Sequence, residues 1–372
     1  MNSSIPFLDL RYQHSQIEAD LKDSIFNVLK SNSFVLGGCL SDFEKMYASY
    51  HQVSFCAGVG NGLDAVYLSL KALGIKSGDE VLVPSNTYIA TWLAIERTGA
   101  TIVPIEPNEY TYNVDVSKIK AAISPLTKCV LPVHLFGQAC EMDAILEIAN
   151  THSLFVVEDN AQAHGATYGA KMTGSFGQIN ATSFYPTKNL GALGDGGAIT
   201  TNLKEHYDLV CSLRNYGSTK KFINDRLGVN SRLDEIQAAV LAVKLKYLDA
   251  WNAQRRFLAS TYFELLSNAG DLILPTIANG ASHVYHAFTI RTNYRDALQA
   301  YLKDKGIETS SHYPVPPHLQ KAFAHLGYTK GDFPIAEKLA STSLSLPIWP
   351  GLSKKEQEQI GRAIIEFFRG HL

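Results

Sequence analysis

Short runs of apolar residues, each bounded by turn-forming residues, recur along the first two thirds of the chain. Apolar character that is continuous rather than alternating is typical of strands that are covered on both faces. We therefore predict seven strands of one mostly parallel sheet. The runs lie at 53–58, 80–84, 101–105, 128–133, 154–159, 181–185 and 197–201.

Helix-like segments lie between several of these strands, at 63–74, 91–99 and 142–152. Strands that alternate with helices predict an α/β fold built on a mostly parallel sheet. In such folds, ligands bind beyond the carboxyl ends of the strands. Residues that directly follow a strand are therefore the first candidates for a functional site.

The last third of the chain has a different pattern. Residues 232–266 keep a helical period with few interruptions, which predicts one long helix or two joined helices. Beyond them, an apolar run, a helix-like segment and a proline-rich loop predict a smaller α+β unit. We predict a large domain over residues 1–247, with the amino-terminal segment, and a small carboxyl-terminal domain over residues 248–372.

Length and composition agree with this two-domain organisation. The chain has 372 residues, 46% of them hydrophobic and 18% charged, and this length exceeds what one hydrophobic core usually supports. The net charge of -2 gives no electrostatic footprint for nucleic acid. Because the sequence shows neither an export signal nor a long apolar run, we expect a soluble protein outside the membrane.

The five cysteines bear on location and on metal binding. Their number is odd and no pair has Cys-x-x-Cys spacing, which argues against a disulfide framework and against a thiolate zinc site. We therefore expect a reducing, cytoplasmic environment and no bound metal. The cysteines are Cys39, Cys56, Cys129, Cys140 and Cys211.

One lysine, Lys188, stands among aromatic, small and glycine residues in the stretch SFYPTKNLGALGDGG at 183–197. Burial lowers the pKa of a lysine, and the neutral amine is a nucleophile toward carbonyl groups. Most lysines, however, lie in solvent. On this stretch alone, Lys188 is either an ordinary loop residue or a nucleophile.

The turn after the first predicted strand, GVGNGLDA at 58–65, is a candidate phosphate site. Asn61 can cap the helix that follows, and the free amides at a helix start attract anions. The dinucleotide-binding pattern Gly-x-Gly-x-x-Gly requires a glycine where Leu63 stands, so the turn does not match it. A glycine turn before a capped helix, without any ligand, is an equally good interpretation.

Three later strand ends carry further candidate groups. Tyr88 follows the second strand and offers an aromatic platform, although a buried core tyrosine is the commoner case. Asp159 ends the fifth strand, where it is either a structural cap or a carboxylate that keeps a heteroaromatic nitrogen protonated. Ser183 offers a hydroxyl shortly before Lys188. Together with the phosphate turn, these are the parts that a pyridoxal phosphate (PLP) enzyme requires.

With these groups assembled, the sequence resembles the DegT/DnrJ family of PLP-dependent nucleotide-sugar aminotransferases, which have the fold type I architecture of aspartate aminotransferase. The resemblance extends over nearly the whole chain. It rests on FLDL, GNGLDA, PSNTYIAT, PVHLFGQ, VVEDNAQAHGA, SFYPTKNLGALGDGGA, LRNYGS, GVNSRLDEIQAA, VYHAF, HYPVPPHLQ and SLPIWPGLS.

The resemblance implies a role for each residue at the cofactor. Lys188 would bind PLP covalently and serve as anchor, base and acid, and Asp159 would pair with the pyridine nitrogen. Asn230 would reach the phosphate from the neighbouring subunit, which implies a homodimer with shared active sites. The other implied contacts are stacking by Tyr88, a ring contact by Gln162, and phosphate contacts by the amides of Gly62 and Leu63 and the hydroxyl of Ser183.

The resemblance also implies a substrate. Many members have Ser-Gly-Thr in the phosphate turn, whereas Asn61-Gly62-Leu63 resembles the branch that aminates carbon 3 of a keto-sugar. We therefore expect amino transfer from L-glutamate to a dTDP-3-keto-6-deoxyhexose, giving a dTDP-3-amino-3,6-dideoxyhexose for a surface polysaccharide such as O-antigen. Amination at carbon 4 is the alternative.

Contacts with the nucleotide sugar follow from the same resemblance. His312 and Tyr313, in the proline-rich loop, match positions that line the sugar pocket in this family. Lys220 and Arg226 belong to a short basic stretch that is either a clamp for the diphosphate or a solvated surface. Weaker candidates are Tyr185 and His164.

Two functions from other classes remain open. An NAD-dependent oxidoreductase would account for the α/β alternation, but it requires the complete glycine pattern. A non-catalytic PLP-binding protein of the same fold would be expected to have lost Lys188 or Asp159. Relatives that dehydrate sugars have histidine in place of the lysine, so the presence of Lys188 favours transamination.

Overall fold

The computed structural model describes residues 4–371, and within this range the chain forms thirteen α-helices and thirteen strands. No helix in the described range has the length and apolar character needed to cross a membrane. The helices are α1 (Arg11–Gln16), α2 (Glu18–Ser31), α3 (Gly38–Tyr50), α4 (Gly62–Ala72), α5 (Ile89–Glu96), α6 (Val116–Ala122), α7 (Met142–Thr151), α8 (Lys204–Leu213), α9 (Glu235–Leu245), α10 (Leu248–Leu266), α11 (Arg295–Asp304), α12 (Pro334–Thr342) and α13 (Lys354–His371). The strands are β1 (Phe55–Val59), β2 (Glu80–Pro84), β3 (Thr101–Ile105), β4 (Thr127–Val130), β5 (Phe155–Asp159), β6 (Thr167–Tyr168), β7 (Lys171–Met172), β8 (Ile179–Ser183), β9 (Gly197–Thr201), β10 (Ser218–Lys220), β11 (Ile223–Asn224), β12 (Phe288–Arg291) and β13 (Ser343–Leu346).

Seven strands form one sheet in the order β1-β9-β8-β5-β4-β2-β3. Strand β9 is antiparallel to its two neighbours, and the other neighbouring pairs are parallel. The prediction of a mostly parallel seven-stranded sheet is therefore confirmed. Strand β8 ends at Ser183, earlier than predicted, because Tyr185 turns toward solvent and Pro186 has no amide hydrogen to donate.

Neighbouring residues of one strand pack on opposite faces of the sheet. Val157 belongs to the core that α4 and α5 cover, whereas Val156 belongs to the core that α7 covers. Both side chains are fully buried. The strands are thus covered on both faces, which explains why their apolar character is continuous along the sequence.

The same alternation separates the two acidic residues at the end of β5. Glu158 is fully buried and accepts hydrogen bonds from the amides of Gly174 (2.7 Å) and Phe176 (2.6 Å) and from Nε2 of His134 (2.8 Å). Nδ1 of His134 accepts from the Cys140 amide, so Nε2 carries the hydrogen. Burial opposes ionisation, but His134 and the backbone amides keep the pKa of Glu158 below its ordinary value. Glu158 is a structural anchor, and Asp159 faces the sheet edge.

A second core lies in the carboxyl-terminal part of the chain, where α10, α11 and α13 pack on the two-stranded sheet of β12 and β13. Ile5 is buried in this core and pairs with Ile307 through an isolated bridge. The segment 232–266 forms two helices, α9 and α10, and the domain boundary predicted after residue 247 falls where α10 begins. That boundary stays a prediction.

Candidate active site

Strands β1, β2, β5 and β8 end at the same edge of the large sheet, since β1 and β8 are both antiparallel to β9. A cavity of about 370 Å³ lies at this edge, a size typical of small-molecule sites. Ten of the predicted site residues line it: Gly62, Leu63, Tyr88, Asp159, Gln162, Ser183, Tyr185, Lys188, His312 and Tyr313.

One corner of the cavity consists of hydrogen-bond donors at the start of α4. Asn61 caps this helix by accepting a hydrogen bond from the Asp64 amide at 2.8 Å, as predicted. The amides of Gly62 and Leu63, in the first turn, have no acceptor within the helix. A Cβ atom on Gly62 would lie 2.5 Å from Cβ of Ser183, so only glycine allows the serine hydroxyl to approach this turn. The corner fits a phosphate group.

Asp159 is held in a fixed orientation at the end of β5. Its Oδ2 accepts from Oγ1 of Thr91 at 2.9 Å, and its Oδ1 accepts from the Ala161 amide at 3.1 Å. Burial raises the pKa of Asp159, while these two hydrogen bonds and Lys188 act in the opposite direction. A buried carboxylate without a full counter-charge favours a cationic group such as a protonated ring nitrogen.

Lys188 projects into the same cavity, five residues after the end of β8. Burial lowers the pKa of Lys188 to about 8, and the charge of Asp159 limits this shift. A lysine with this pKa is partly neutral near physiological pH, so its Nζ can act both as a nucleophile and as a base. The fold therefore favours the reactive interpretation of Lys188 over that of an ordinary loop residue.

The lowered pKa of Lys188 can be measured in the cofactor-free protein. With limiting acetic anhydride, we expect the acetylation rate of Lys188 to reach half its maximum near pH 8, because only the neutral amine reacts. Mass spectrometry of the Lys188 peptide at a series of pH values gives this midpoint. In Asp159→Asn the midpoint should fall further, because the carboxylate that stabilises the ammonium is gone. A midpoint above pH 10, as for exposed lysines, would contradict the assignment.

Aromatic and amide groups form the wall opposite the helix start. The rings of Tyr88 and Tyr313 lie 5.1 Å apart, and half of the Tyr88 side chain is exposed toward the cavity. Gln162 accepts from the Phe136 amide at 2.6 Å and donates from Nε2 to the hydroxyl of Tyr313 at 3.0 Å. The Tyr313 hydroxyl therefore keeps its own hydrogen for a ligand. Gln162 uses both ends of its amide within the protein, and its contact with the cofactor stays a prediction.

His312 lies on the same wall. Its Nδ1 is 2.8 Å from Oγ of Ser345, a residue of β13. Burial, with a smaller contribution from Lys188, lowers the pKa of His312 to about 4. The imidazole is therefore neutral at physiological pH, and it contributes polarity without a positive charge.

Several predicted residues do not reach the cavity within one chain. Lys220, on β10, and Asn230 are exposed, and Arg226 lines a separate open groove with Tyr216. His164 is fully buried and contacts Oγ1 of Thr182 at 3.0 Å, so it belongs to the core and not to the sugar pocket.

The cavity also contains residues that the sequence analysis did not identify. Thr91 is the donor to Asp159, and it lies in the PSNTYIAT motif only three residues after Tyr88. His286 lies in the VYHAF motif, but no spacing connects it with Lys188. The polar residues among them are Thr87, Thr91, Thr187, Asp195 and His286.

The fold and this cavity define a PLP-dependent aminotransferase of fold type I. The chain belongs to the DegT/DnrJ/EryC1/StrS aminotransferase family, whose model matches residues 15–365. The predictions of family, fold class, cofactor and enzyme class are confirmed. The oxidoreductase alternative is not supported.

Two curated relatives are similar over nearly their whole length. The dTDP-3-amino-3,6-dideoxy-alpha-D-galactopyranose transaminase of Aneurinibacillus thermoaerophilus is 49% identical over 97% of this chain and 98% of its own. The dTDP-3-amino-3,4,6-trideoxy-alpha-D-glucose transaminase of Streptomyces venezuelae is 45% identical over 98% of this chain and 96% of its own. The crystal structure of DesV from S. venezuelae has a TM-score of 0.97 and 44% identity, and the match covers 99% of each chain.

Proposed function

We propose that the protein transfers the amino group of L-glutamate to carbon 3 of a dTDP-linked 3-keto-6-deoxyhexose. The observation that carries this proposal is the cavity that brings Lys188 and Asp159 together beside the phosphate corner of α4. The two relatives described above support the substrate class, since both names refer to dTDP-linked 3-amino sugars. The product would serve the biosynthesis of deoxyamino sugars for a surface polysaccharide.

The residues that line the cavity fit PLP. Gly62, Leu63 and Ser183 would bind its phosphate, Tyr88 would cover its ring, and Asp159 would face its ring nitrogen. When bound, PLP supplies a sink for the electrons of the substrate carbon that loses its proton.

The protein's own residues would manage the charges and protons of the reaction. Asp159, oriented by Thr91 and Ala161, presents a negative charge that favours protonation of the ring nitrogen. The neutral Nζ of Lys188 would take the proton from the α-carbon of glutamate and, in the second half-reaction, return a proton to carbon 3 of the sugar.

The wall that carries Tyr313 would bind the sugar. The free hydrogen of the Tyr313 hydroxyl can donate to a sugar oxygen, and the neutral ring of His312 adds a polar contact without attracting a competing anion. Tyr185, exposed at the mouth of the same cavity, would contact the sugar nucleotide.

We also propose that the enzyme works as a homodimer with shared active sites. The segment 218–227 carries Lys220 and Arg226, and its apolar residues Phe222 and Leu227 are 90% and 98% exposed. Exposed apolar side chains of this size on one segment are typical of an interaction surface. In a dimer, Lys220 and Arg226 would clamp the diphosphate in the partner's cavity, and Asn230 would reach the partner's cofactor phosphate.

Mixing two inactive variants tests whether the sites are shared. Asn230→Ala should weaken PLP binding, and Lys188→Ala should be inactive. If Asn230 acts in the neighbouring subunit, each site combines Lys188 of one chain with Asn230 of the other, so one site stays intact only when the two substitutions lie on different chains. We therefore expect heterodimers of wild type with Lys188→Ala/Asn230→Ala to keep no intact site, whereas heterodimers of the two single variants should recover about a quarter to a half of the activity per dimer. Activity of the wild type/double-variant heterodimer, together with inactivity of the heterodimer of the two single variants, would contradict the shared site.

The regiochemistry is tested by a direct comparison of substrates. With L-glutamate as donor, we expect conversion of dTDP-3-keto-6-deoxyhexose and at least about 100-fold lower kcat/KM for the 4-keto isomer, because the cavity positions one carbon at Lys188. Formation of 2-oxoglutarate and mass spectrometry of the amino sugar report the reaction. Preference for the 4-keto isomer would establish the carbon 4 alternative.

A cytoplasmic location is part of the proposal. The five cysteines are all unpaired, and Cys56, Cys129 and Cys140 are buried as thiols. Thiols of this kind are typical of proteins in a reducing compartment.

A further inference from the structure

His286 lines the main cavity and also a smaller chamber of about 240 Å³ beside it. Its Nδ1 lies 3.3 Å from Oδ1 of Asn189, the residue that directly follows Lys188. Its Nε2 has no hydrogen-bond partner within residues 4–371. One nitrogen is thus committed to the protein, and the other is available to a ligand.

A chain of side-chain amides decides which nitrogen of His286 carries the hydrogen. Nδ2 of Asn189 is 3.1 Å from the backbone carbonyl of Val284, which can only accept a hydrogen bond. Nδ2 also donates to Oδ1 of Asn252 at 2.9 Å, and Nδ2 of Asn252 donates to the carbonyl of His164 at 2.8 Å. Two backbone carbonyls therefore orient both asparagines, and Oδ1 of Asn189 must face His286.

An amide oxygen cannot donate, so Nδ1 of His286 carries the hydrogen. The ring does not carry a second hydrogen at Nε2, because burial lowers the pKa of His286 well below its ordinary value. Lys188 and Arg255 lower this pKa further. The other groups that act on this ring are His312 and His164, which lower the pKa as well. Nε2 is therefore an unprotonated acceptor that faces the cavity.

We propose that His286 determines sugar specificity by accepting a hydrogen bond at Nε2 from a hydroxyl group next to the reacting carbon 3, on carbon 2 or carbon 4. The inference rests on the proposed function. Among the substrate groups close to the reacting carbon, the carboxylates of glutamate cannot donate and its amino group reacts at the cofactor, so the neighbouring sugar hydroxyls are the donors that remain. A sugar that lacks this hydroxyl leaves a desolvated acceptor unpaired, which weakens binding.

The test compares three amino sugars on the pyridoxamine phosphate form of the enzyme, which does not convert them. They are dTDP-3-amino-3,6-dideoxyhexose and its 2-deoxy and 4-deoxy counterparts, and calorimetry gives each Kd. We expect wild type to bind the parent sugar about tenfold more tightly than one deoxy counterpart. In His286→Asn, whose amide can still reach Asn189 but not the cavity, this ratio should fall to about 1.

His286→Gln is the matched control, because its longer amide can place an oxygen near the position of Nε2 and should keep part of the ratio. Equal weakening of all three sugars in His286→Asn, with the ratio unchanged, would show a merely structural role and overturn the inference. Equal Kd values of the three sugars in wild type would overturn it as well. If wild type bound none of them, the proposed function itself would fail, and the inference with it. Thermal melts and cofactor absorbance confirm that each variant is folded and loaded.

Discussion

Replacing Lys188 by alanine is expected to reduce turnover by at least about 10⁴-fold, because one side chain supplies both the covalent anchor and the proton-transfer group. Burial lowers the pKa of Lys188 to about 8, and this makes part of its amine neutral and reactive at physiological pH. Steady-state formation of 2-oxoglutarate from glutamate and the keto-sugar measures the loss. The cavity lies at the edge of the sheet, so folding should be little affected.

Lys188→Arg separates the charge from the chemistry. Arginine keeps a cation near Asp159, but it stays protonated at all relevant pH values and cannot serve as a nucleophile or base. We expect it to be as inactive as the alanine variant, with a similar melting temperature. Turnover within tenfold of wild type in either variant would remove Lys188 from the mechanism.

Asp159→Asn is expected to reduce turnover by about 10²- to 10⁴-fold, and to leave the cofactor-free protein at least as stable as wild type. The activity falls because the neutral amide no longer favours protonation of the ring nitrogen. The stability rises for a different reason. Burial raises the pKa of Asp159 above its value in the unfolded chain, so the ionised group opposes folding once the pH exceeds that value. Kinetics and urea unfolding at pH 7 measure the two effects.

The adjacent acid provides a matched control. The folded pKa of Glu158 is lowered, so its stabilisation is present above the unfolded pKa and is lost as the pH falls through the folded pKa. Glu158→Gln should therefore destabilise the protein at pH 7, since an amide cannot accept all the donors around it. The two variants are thus expected to change stability in opposite directions. A loss of stability in Asp159→Asn as large as in Glu158→Gln would mean that Asp159 is structural.

The strands and the residues at their ends were predictable because they follow from local pattern. Strands buried on both faces must be continuously apolar, and β2, β3 and β9 have the predicted bounds. Parallel strands end at one edge, so Tyr88, Asp159, Ser183 and Lys188 could be expected to converge from their place after a strand. The sequence left open the features that depend on how far a side chain is exposed to solvent, above all whether Lys188 is buried.

The wall of the cavity that faces the sheet was not predictable from spacing. His286, His312 and Tyr313 lie about 100 or more residues beyond Lys188, and they reach the cavity because the carboxyl-terminal core packs beside the sheet edge. The orientation of their polar atoms depends on partners such as Asn189 and Gln162, which no local pattern reveals.

The sequence by itself thus determined the sheet, the order of the chemical groups along its edge and the family to which the chain belongs. The tertiary structure decided which of those groups share a cavity and in which protonation state. It placed Lys188 beside Asp159 with a lowered pKa, and it left Lys220, Arg226 and Asn230 outside the cavity of their own chain. The physical reason is that burial and hydrogen bonding set pKa values and hydrogen positions, and both arise from contacts between residues that are distant along the chain.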